Sequence, residues 1–208
     1  DGRAFIAGAL ARGAVAVVYE ADGAEPDVRA GGALGVRDLR QHIGTLADRF
    51  YGSPSQRLTV IGVTGTNGKT TTAYLVDSAV RAAGEPCGLV GTVEYRVGNR
   101  IAEAVRTTPE SSDLQQLFRE MKEAGCRRAV LEVSSFQLET VESFRPAVAV
   151  VLNVTPDHYD RHPSFEAYAN AKARIFVNQT EDDTAIFNGD APRLLDLARR
   201  TRGRVFLF

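Results

Sequence analysis

The feature that most constrains this chain is a glycine-rich loop that joins an apolar strand pattern to a helical one. The segment runs Val60-Ile61-Gly62-Val63-Thr64-Gly65-Thr66-Asn67-Gly68-Lys69-Thr70-Thr71-Thr72. A buried strand aims such a loop, glycines let backbone N–H groups approach an anion, and the helix N-terminus adds partial positive charge. We therefore predict a nucleotide-phosphate site in which Lys69 contacts the β- and γ-phosphates and the Thr70 hydroxyl binds Mg²⁺.

The loop departs from the strict P-loop pattern at one position. That pattern has glycine where this chain has Val63, and Gly62 and Gly65 flank the valine instead. The alternative interpretation is a tight strand-to-helix turn that is glycine-rich for steric reasons alone. The order of strand, Gly-Lys-Thr and helix favours phosphate binding. The residues assigned to the nucleotide are Gly65, Thr66, Asn67, Gly68, Lys69, Thr70 and Thr71.

Charge and cysteine usage exclude several classes of partner. The formal net charge is −1, which argues against nucleic acid and acidic membrane surfaces. No apolar run approaches the length of a membrane span, and no signal peptide pattern opens the chain. Cys87 and Cys126 match no metal-ligand spacing, so free thiols in a reducing cytoplasm are the simplest account. We expect a cytoplasmic monomer without nucleic-acid or membrane partners.

The chain alternates between strand and helix patterns from Leu58 onward, which predicts an α/β fold with a mostly parallel sheet flanked by helices. A hairpin is predicted at 93–105, a short helix near 135–143, and a longer helix at 164–177. Predicted strands cover 58–63, 87–92, 128–133, 147–154, 184–188 and 204–208.

A break in the helical pattern divides the chain into two predicted domains. Gly52-Ser53-Pro54-Ser55 ends a helix predicted over 36–51, and we predict a linker at 53–57. Residues 1–52 are interpreted as part of a small N-terminal α/β domain, with a loop at 21–35. Residues 58–208 form the predicted nucleotide-binding domain.

Glu132 ends an apolar strand pattern two strands away from the glycine-rich loop. A carboxylate in that place is costly unless it is paired or bound to a metal. A Mg²⁺ ion shared with nucleotide phosphates suits an isolated carboxylate, and we favour that role. The alternative is a glutamate that merely caps the following helix.

The segment from Asn153 to His162 follows another apolar strand and contains two histidines, His158 and His162. By itself it fits a solvated turn as well as a ligand loop. In the helix that follows, Lys172 falls within the apolar stripe. Such a lysine usually extends its amine to the surface, and the spacing alone favours that interpretation. A desolvated lysine instead has a lowered pKa, and its neutral amine can take up CO₂ to give a carbamate that binds a second metal ion.

These motifs together resemble the Mur ligases, the ATP-dependent amide-forming enzymes of peptidoglycan precursor synthesis. The residues that carry the resemblance are the loop 65–71, Thr107-Thr108-Pro109, Glu132-Val133-Ser134-Ser135, Asn153 with Asp157-His158, and Ala171-Lys172. The resemblance implies ATP, a UDP-N-acetylmuramoyl-peptide and an amino acid as substrates.

The resemblance also implies roles for individual residues. It implies two Mg²⁺ ions, one held by Thr70 and Glu132 and one by His158 and a carbamylated Lys172. Lys69, Glu132, His158 and Lys172 would carry the catalysis. Gln137 would contact the second metal site or the substrate. The residues that would position the muramoyl-peptide are Thr107, Thr108, Ser134 and Asn153.

Within that family the sequence resembles two different members. Residues 1–132 resemble the tripeptide synthetase (MurE type), and the sequence from about Ser134 onward resembles the D-glutamate-adding ligase (MurD type). Phe136 and Glu142 stand where a tripeptide synthetase usually has histidine and arginine. This mixture predicts a natural hybrid or an engineered chimera joined near 132–135.

The resemblance leaves several alternatives open. A full Mur ligase has an N-terminal UDP-substrate-binding domain, a central ATP-binding domain and a C-terminal domain. We therefore expect a fragment with a remnant of the first domain over 1–52, a truncated central domain and no C-terminal domain, with weak or no turnover. The function favoured is MurE-type ligation. The alternatives are MurD-type ligation, a relative such as folylpolyglutamate synthase, and a non-catalytic ATP-binding fragment.

Overall fold

The computed structural model describes residues 2–23, 31–104 and 109–208 and divides the chain into two compact units, between Ala47 and Asp48. The division falls within a helix and precedes the predicted linker. That linker contains a short 3₁₀ helix, Pro54–Arg57. The domain boundary near residue 52 stays a prediction.

The first unit contains a small parallel sheet. After a 3₁₀ turn at Gly2–Phe5, its elements are α1 (Ile6–Ala11), β1 (Val17–Glu20), β2 (Ala33–Val36) and α2 (Leu39–Phe50), the last of which contains the division. β1 and β2 pair in parallel. The predicted loop over 21–35 was therefore wrong at its end, where β2 begins. The segment is glycine-rich and has weak strand propensity, but pairing with β1 satisfies its backbone.

The second unit confirms the predicted alternation of strands and helices. Its strands are β3 (Thr59–Thr64), β4 (Cys87–Val90), β5 (Glu94–Val97), β6 (Arg100–Glu103), β7 (Arg128–Glu132), β8 (Val148–Val151), β9 (Thr184–Phe187) and β10 (Arg204–Leu207). Its helices are α3 (Lys69–Ala82), α4 (Ser111–Glu123), α5 (Ser135–Leu138), α6 (Phe165–Ala173) and α7 (Pro192–Ala198).

Two predicted helices end earlier than expected. The helix predicted over 135–143 is the single turn α5, and α6 gives way to a 3₁₀ turn at Arg174–Phe176. One side chain connects the two endings. The Arg174 guanidinium donates hydrogen bonds to the carbonyl oxygens of Leu138 and Val141. These carbonyls are thus satisfied without further helical turns after α5.

The described residues of the second unit form an eight-stranded sheet in the order β10-β9-β8-β3-β7-β4-β5-β6. Pairing is parallel from β10 to β4 and antiparallel for β5 and β6. The central strand β3 lies between β8 and β7. The carboxyl ends of these three strands therefore meet at one edge, where open α/β sheets bind ligands.

Apolar side chains cover both faces of this sheet. Val130 and Val150 belong to one buried cluster with Ala73 of α3, whereas Leu131 and Val151 belong to the cluster on the other face. Successive residues alternate between the clusters because strand side chains alternate between faces. Among the described residues, no helix combines the length and apolar character needed to cross a membrane.

Candidate nucleotide and metal site

The glycine-rich loop connects β3 to α3 and curls around the Lys69 amine. Gly68 precedes the helix with φ +85°, a left-handed conformation that glycine adopts without steric cost. Lys69 Nζ donates to the carbonyl oxygens of Gly65, at 2.9 Å, and Thr66, at 3.0 Å. Burial lowers the pKa of Lys69, and the nearby carboxylates of Glu132 and Asp157 oppose this effect. The loop thus places a cation at the start of α3.

The predicted pair of Thr70 and Glu132 is brought into direct contact. Thr70 Oγ1 donates to Glu132 Oε2 at 2.8 Å, and the Thr92 backbone N–H donates to Oε1 at 3.2 Å. Glu132 is only 8% exposed, and a buried carboxylate requires hydrogen-bond donors. Each of its two oxygens has one here. The capping alternative is wrong, because Ser134 is the N-cap residue of α5.

The donor set at Thr70 and Glu132 fits Mg²⁺. A hydroxyl oxygen and a carboxylate oxygen are hard ligands of the kind this ion takes, usually with water and substrate phosphates completing its shell. They lie at the carboxyl end of the central strands, beside the first turn of α3. The described residues contain no group of three or more His, Cys, Asp or Glu side chains arranged around a metal. Two oxygen donors of this kind would suit an ion that takes its remaining ligands from water and a bound nucleotide.

Asn153, at the end of β8, is bonded to the glycine-rich loop. Its Oδ1 accepts from the Asn67 N–H at 2.9 Å, and its Nδ2 donates to the Asn67 carbonyl oxygen at 3.1 Å. Thr66 bonds similarly to Thr155, since Thr155 N–H donates to Thr66 Oγ1 at 3.1 Å. The segment after β8 therefore fixes the shape of the loop. The substrate role of Asn153 stays a prediction.

Lys172 is buried, and the interpretation that its amine reaches the surface is wrong. The residue is 2% exposed, and its Nζ donates to the Gly65 carbonyl oxygen at 2.9 Å. The amine also lies 4.5 Å from the centre of the Tyr168 ring. Burial, together with the nearby Lys69 charge, lowers the pKa of Lys172 to about 7, and Asp157 opposes both effects. Two lysine amines therefore share one carbonyl oxygen of the glycine-rich loop.

His158 lies in the loop after β8 and is more exposed than Lys172. Its φ of 54° is unusual for a residue other than glycine. Its ring contacts those of Phe136 and Tyr168, with centroids 5.0 and 5.9 Å apart. Tyr168 thus contacts both His158 and Lys172. A second metal site at these two residues stays a prediction, and so does its alternative, a solvated turn.

The remaining predicted site residues have local partners or lie outside the described chain. Ser134 and Gln137 form a capping box, in which Gln137 N–H donates to Ser134 Oγ at 3.2 Å and Ser134 N–H donates to Gln137 Oε1 at 3.0 Å. Thr71 lies exposed in the first turn of α3. Thr107 and Thr108 fall outside the described residues. Substrate contacts by Thr107, Thr108, Ser134 and Gln137 stay predictions.

Sequence reasoning did not assign Thr92 or Tyr168 to the site. Thr92 follows the end of β4. The rule that a polar residue at a strand end is a site candidate identified Glu132, and the same rule would have identified Thr92. Tyr168 carried no such signal. An aromatic residue on a helical apolar stripe is ordinary core, and only the fold reveals that its ring contacts Lys172 and its hydroxyl lies 3.3 Å from Thr66 Oγ1.

Comparison with known proteins identifies the family. Residues 63–208 match the family described as the Mur ligase middle domain. The chain belongs to the Mur ligase family. The match runs without a break across 132–135, where the sequence pattern predicts a change from MurE type to MurD type. It therefore does not divide the chain at that point. The hybrid or chimera hypothesis stays a prediction.

Two curated relatives illustrate the similarity of this chain to diaminopimelate ligases. The UDP-N-acetylmuramoyl-L-alanyl-D-glutamate–2,6-diaminopimelate ligase of Chlorobaculum tepidum is 44% identical over 203 residues, covering 96% of this chain and 40% of the relative. The ligase of that name from Solibacter usitatus is 47% identical over 178 residues, covering 85% of this chain and 36% of the relative. The chain therefore spans about two fifths of the length of such relatives.

Solved structures agree with the assignment to the Mur ligases. A structure of the same kind of diaminopimelate ligase is 28% identical, covers 99% of this chain and 42% of its own, and has a TM-score of 0.75. The MurF ligase of Thermotoga maritima in complex with ADP has a TM-score of 0.71 at 24% identity, covering 100% of this chain and 44% of its own. A folylpolyglutamate synthase of Mycobacterium tuberculosis has a TM-score of 0.61 at 20% identity, covering 80% of this chain and 46% of its own. At 24% and 20% identity, the MurF ligase and the folylpolyglutamate synthase show a shared fold and nothing more.

Proposed function

We propose that this chain is the ATP-binding part of a ligase that adds an amino acid to a UDP-N-acetylmuramoyl-peptide in peptidoglycan precursor synthesis, and that the ligase is of MurE type. The observation that carries the proposal is the contact of Thr70 with Glu132 beside the phosphate loop. The names of the relatives, at 38–47% identity, support the MurE type. The expected setting is the cytoplasm, and the expected state is a monomer.

The reaction explains why these residues lie together. The substrate carboxylate attacks the γ-phosphate of ATP and gives an acyl phosphate and ADP, and the amine of the amino acid then displaces phosphate. The first step brings anions together, so the site must supply positive charge. Lys69 supplies one charge at the start of α3. Thr70 and Glu132 would hold Mg²⁺, which neutralises phosphate charge when bound. Asn153 holds the loop in shape through Asn67.

We propose further that Lys172 is carbamylated and, with His158, holds a second Mg²⁺ ion. A pKa near 7 leaves much of the Lys172 amine neutral at physiological pH, and the neutral amine is the form that adds CO₂. The contacts of both residues with the Tyr168 ring support their closeness. Gln137 would lie near this second ion, and the muramoyl-peptide would contact Thr107, Thr108, Ser134 and Asn153.

Carbamylation of Lys172 can be tested directly because the chain has three lysines, Lys69, Lys122 and Lys172. In ¹³C-bicarbonate we expect a slowly exchanging carbamate resonance that is absent from Lys172→Ala and present in Lys122→Ala. Lys172→Ala should also lose ligase turnover, with partial rescue by a short carboxylic acid. Persistence of the resonance in Lys172→Ala, or full unrescued activity, would exclude this role.

The proposed function is tested by calorimetry with ATP and Mg²⁺ and by phosphate release in the presence of UDP-N-acetylmuramoyl-peptides. MurE-type ligation predicts phosphate release with the dipeptide substrate and 2,6-diaminopimelate. Phe136 stands where a tripeptide synthetase usually has histidine, which favours the MurD type as a second candidate. That type predicts release with D-glutamate. Nucleotide binding without substrate-dependent release would support a non-catalytic ATP-binding fragment.

A further inference from the structure

The turn between β4 and β5 contacts the carboxylate proposed to hold Mg²⁺. The turn closes with the Gly91 N–H donating to the Glu94 carbonyl oxygen at 3.2 Å. Within it, the Thr92 N–H donates to Glu132 Oε1 at 3.2 Å. The Thr92 hydroxyl lies 3.4 Å from that of Thr70, which in turn donates to Glu132 Oε2. Thr92 thus touches both residues of the proposed metal pair.

Gly91 fits closely against the same carboxylate. A Cβ atom at this position would lie 2.5 Å from Glu132 Oε1 and 3.6 Å from the Glu94 carbonyl oxygen. A distance of 2.5 Å is well inside van der Waals contact, so a methyl group would have to displace the carboxylate or the turn. Glu132 has little freedom to move because it ends β7 within the sheet and is buried. The turn and the carboxylate are therefore matched in shape.

Ion pairs with one buried carboxylate anchor this turn to the helix α3, which begins at the glycine-rich loop. Arg96 of β5 pairs with Asp77 of α3 at 2.7 Å, and Arg81 of α3 pairs with the other Asp77 oxygen at 2.8 Å. Asp77 has no exposed side-chain surface. Arg96 also pairs with Glu94 and lies over the Tyr74 ring, 4.7 Å from its centre. The turn is thus held at a fixed place relative to Thr70.

We propose that Gly91 and Thr92 are positioning residues of the Mg²⁺ site. The Thr92 amide holds Oε1, which leaves Oε2 directed at Thr70 and available to the ion. Gly91 provides the space that this orientation needs, and the Thr92 hydroxyl helps to orient that of Thr70. The proposal rests on the proposed function, since it concerns the same site. It adds a segment after the end of β4 to the two segments that supply Thr70 and Glu132.

The test measures how strongly Mg²⁺ enhances binding of ADP to the full chain, by calorimetry with and without the ion. Groups that orient metal ligands typically change metal affinity about 10- to 100-fold when mutated. For Gly91→Ala we expect the enhancement to fall at least about tenfold, with Mg²⁺-free ADP affinity preserved. Thr92→Ala should reduce it by a smaller factor, and Thr92→Ser should restore it. Val93→Ala is the matched control, because Val93 is exposed in the same turn.

The outcomes separate this inference from the proposed function. If wild type shows the enhancement and both Gly91→Ala and Thr92→Ala retain it in full, the positioning role is overturned while the nucleotide site stands. If wild-type affinity for ADP is the same with and without Mg²⁺, both are overturned. Thermal unfolding checks that each variant is folded. If Gly91→Ala does not fold, the comparison of Thr92→Ala with Thr92→Ser decides.

Discussion

Lys69→Ala is expected to reduce the affinity of the chain for ADP about 100-fold. A hydrogen bond to a charged group contributes about 1.5–3 kcal/mol, and the upper end of that range corresponds to a factor of about 100. The Lys69 amine is the cation that the loop places at the start of α3, where the phosphates of a nucleotide would lie. Calorimetry of ADP binding to both proteins measures the difference.

The matched control for this experiment is Lys122→Ala. It removes the same charge from an exposed position in α4 and should leave ADP affinity unchanged. Thermal unfolding distinguishes a lost phosphate contact from a collapsed loop, because Lys69 also bonds to Gly65 and Thr66. Equal ADP affinity in the wild type and Lys69→Ala, with both proteins folded, would contradict a phosphate role for this lysine.

The contact between Thr70 and Glu132 was predictable from sequence because it depends on topology. Thr70 follows the phosphate loop, and Glu132 ends an apolar strand. Parallel strands bring such ends to one edge of a sheet, so two positions far apart in sequence could be paired without coordinates. Their 2.8 Å contact agrees with that prediction.

The placement of Lys172 could not be derived from spacing. A helical stripe indicates which face of α6 is buried, but it does not determine whether a long side chain finds a partner inside or extends outward. Here the Gly65 carbonyl oxygen and the Tyr168 ring receive the amine. The partner carbonyl is 107 residues away. Only the assembled sheet brings it to the helix.

The small errors in the fold have a similar origin. β2 forms from a glycine-rich segment because a neighbouring strand pairs with it. α5 ends after one turn, and the Arg174 guanidinium donates to the carbonyl oxygens of Leu138 and Val141 in place of further helical N–H groups. In both cases a tertiary contact outweighs the local preference that the sequence pattern reports.

Lys172 should make the stability of this chain depend on pH between about 7 and about 10.5. Its pKa falls from 10.5 in the unfolded chain to about 7 in the fold, mainly because burial disfavours the charged amine. Between these values the unfolded chain binds a proton that the folded chain does not. The free energy of unfolding therefore rises with pH across this window. Below about pH 7 the full cost of burying the amine is present, and it disappears above the unfolded pKa. The contribution is on the order of 5 kcal/mol.

Comparison with Lys172→Met isolates this contribution. The half-buried Lys69 amine also has a lowered pKa, and its effect on the pH dependence of stability is present in both proteins. We expect the free energy of unfolding of wild type to rise by several kcal/mol relative to Lys172→Met between about pH 7 and about pH 10. Urea unfolding in CO₂-free buffer measures it, since carbamylation would replace the titrating amine. Parallel stability curves for the two proteins would mean that Lys172 titrates at its ordinary pKa. The same result would remove the chemical basis for carbamylation, because an amine that stays protonated at neutral pH does not add CO₂. The stability measurement and the ¹³C-bicarbonate experiment therefore test two successive requirements of one mechanism, a neutral amine and its carbamate.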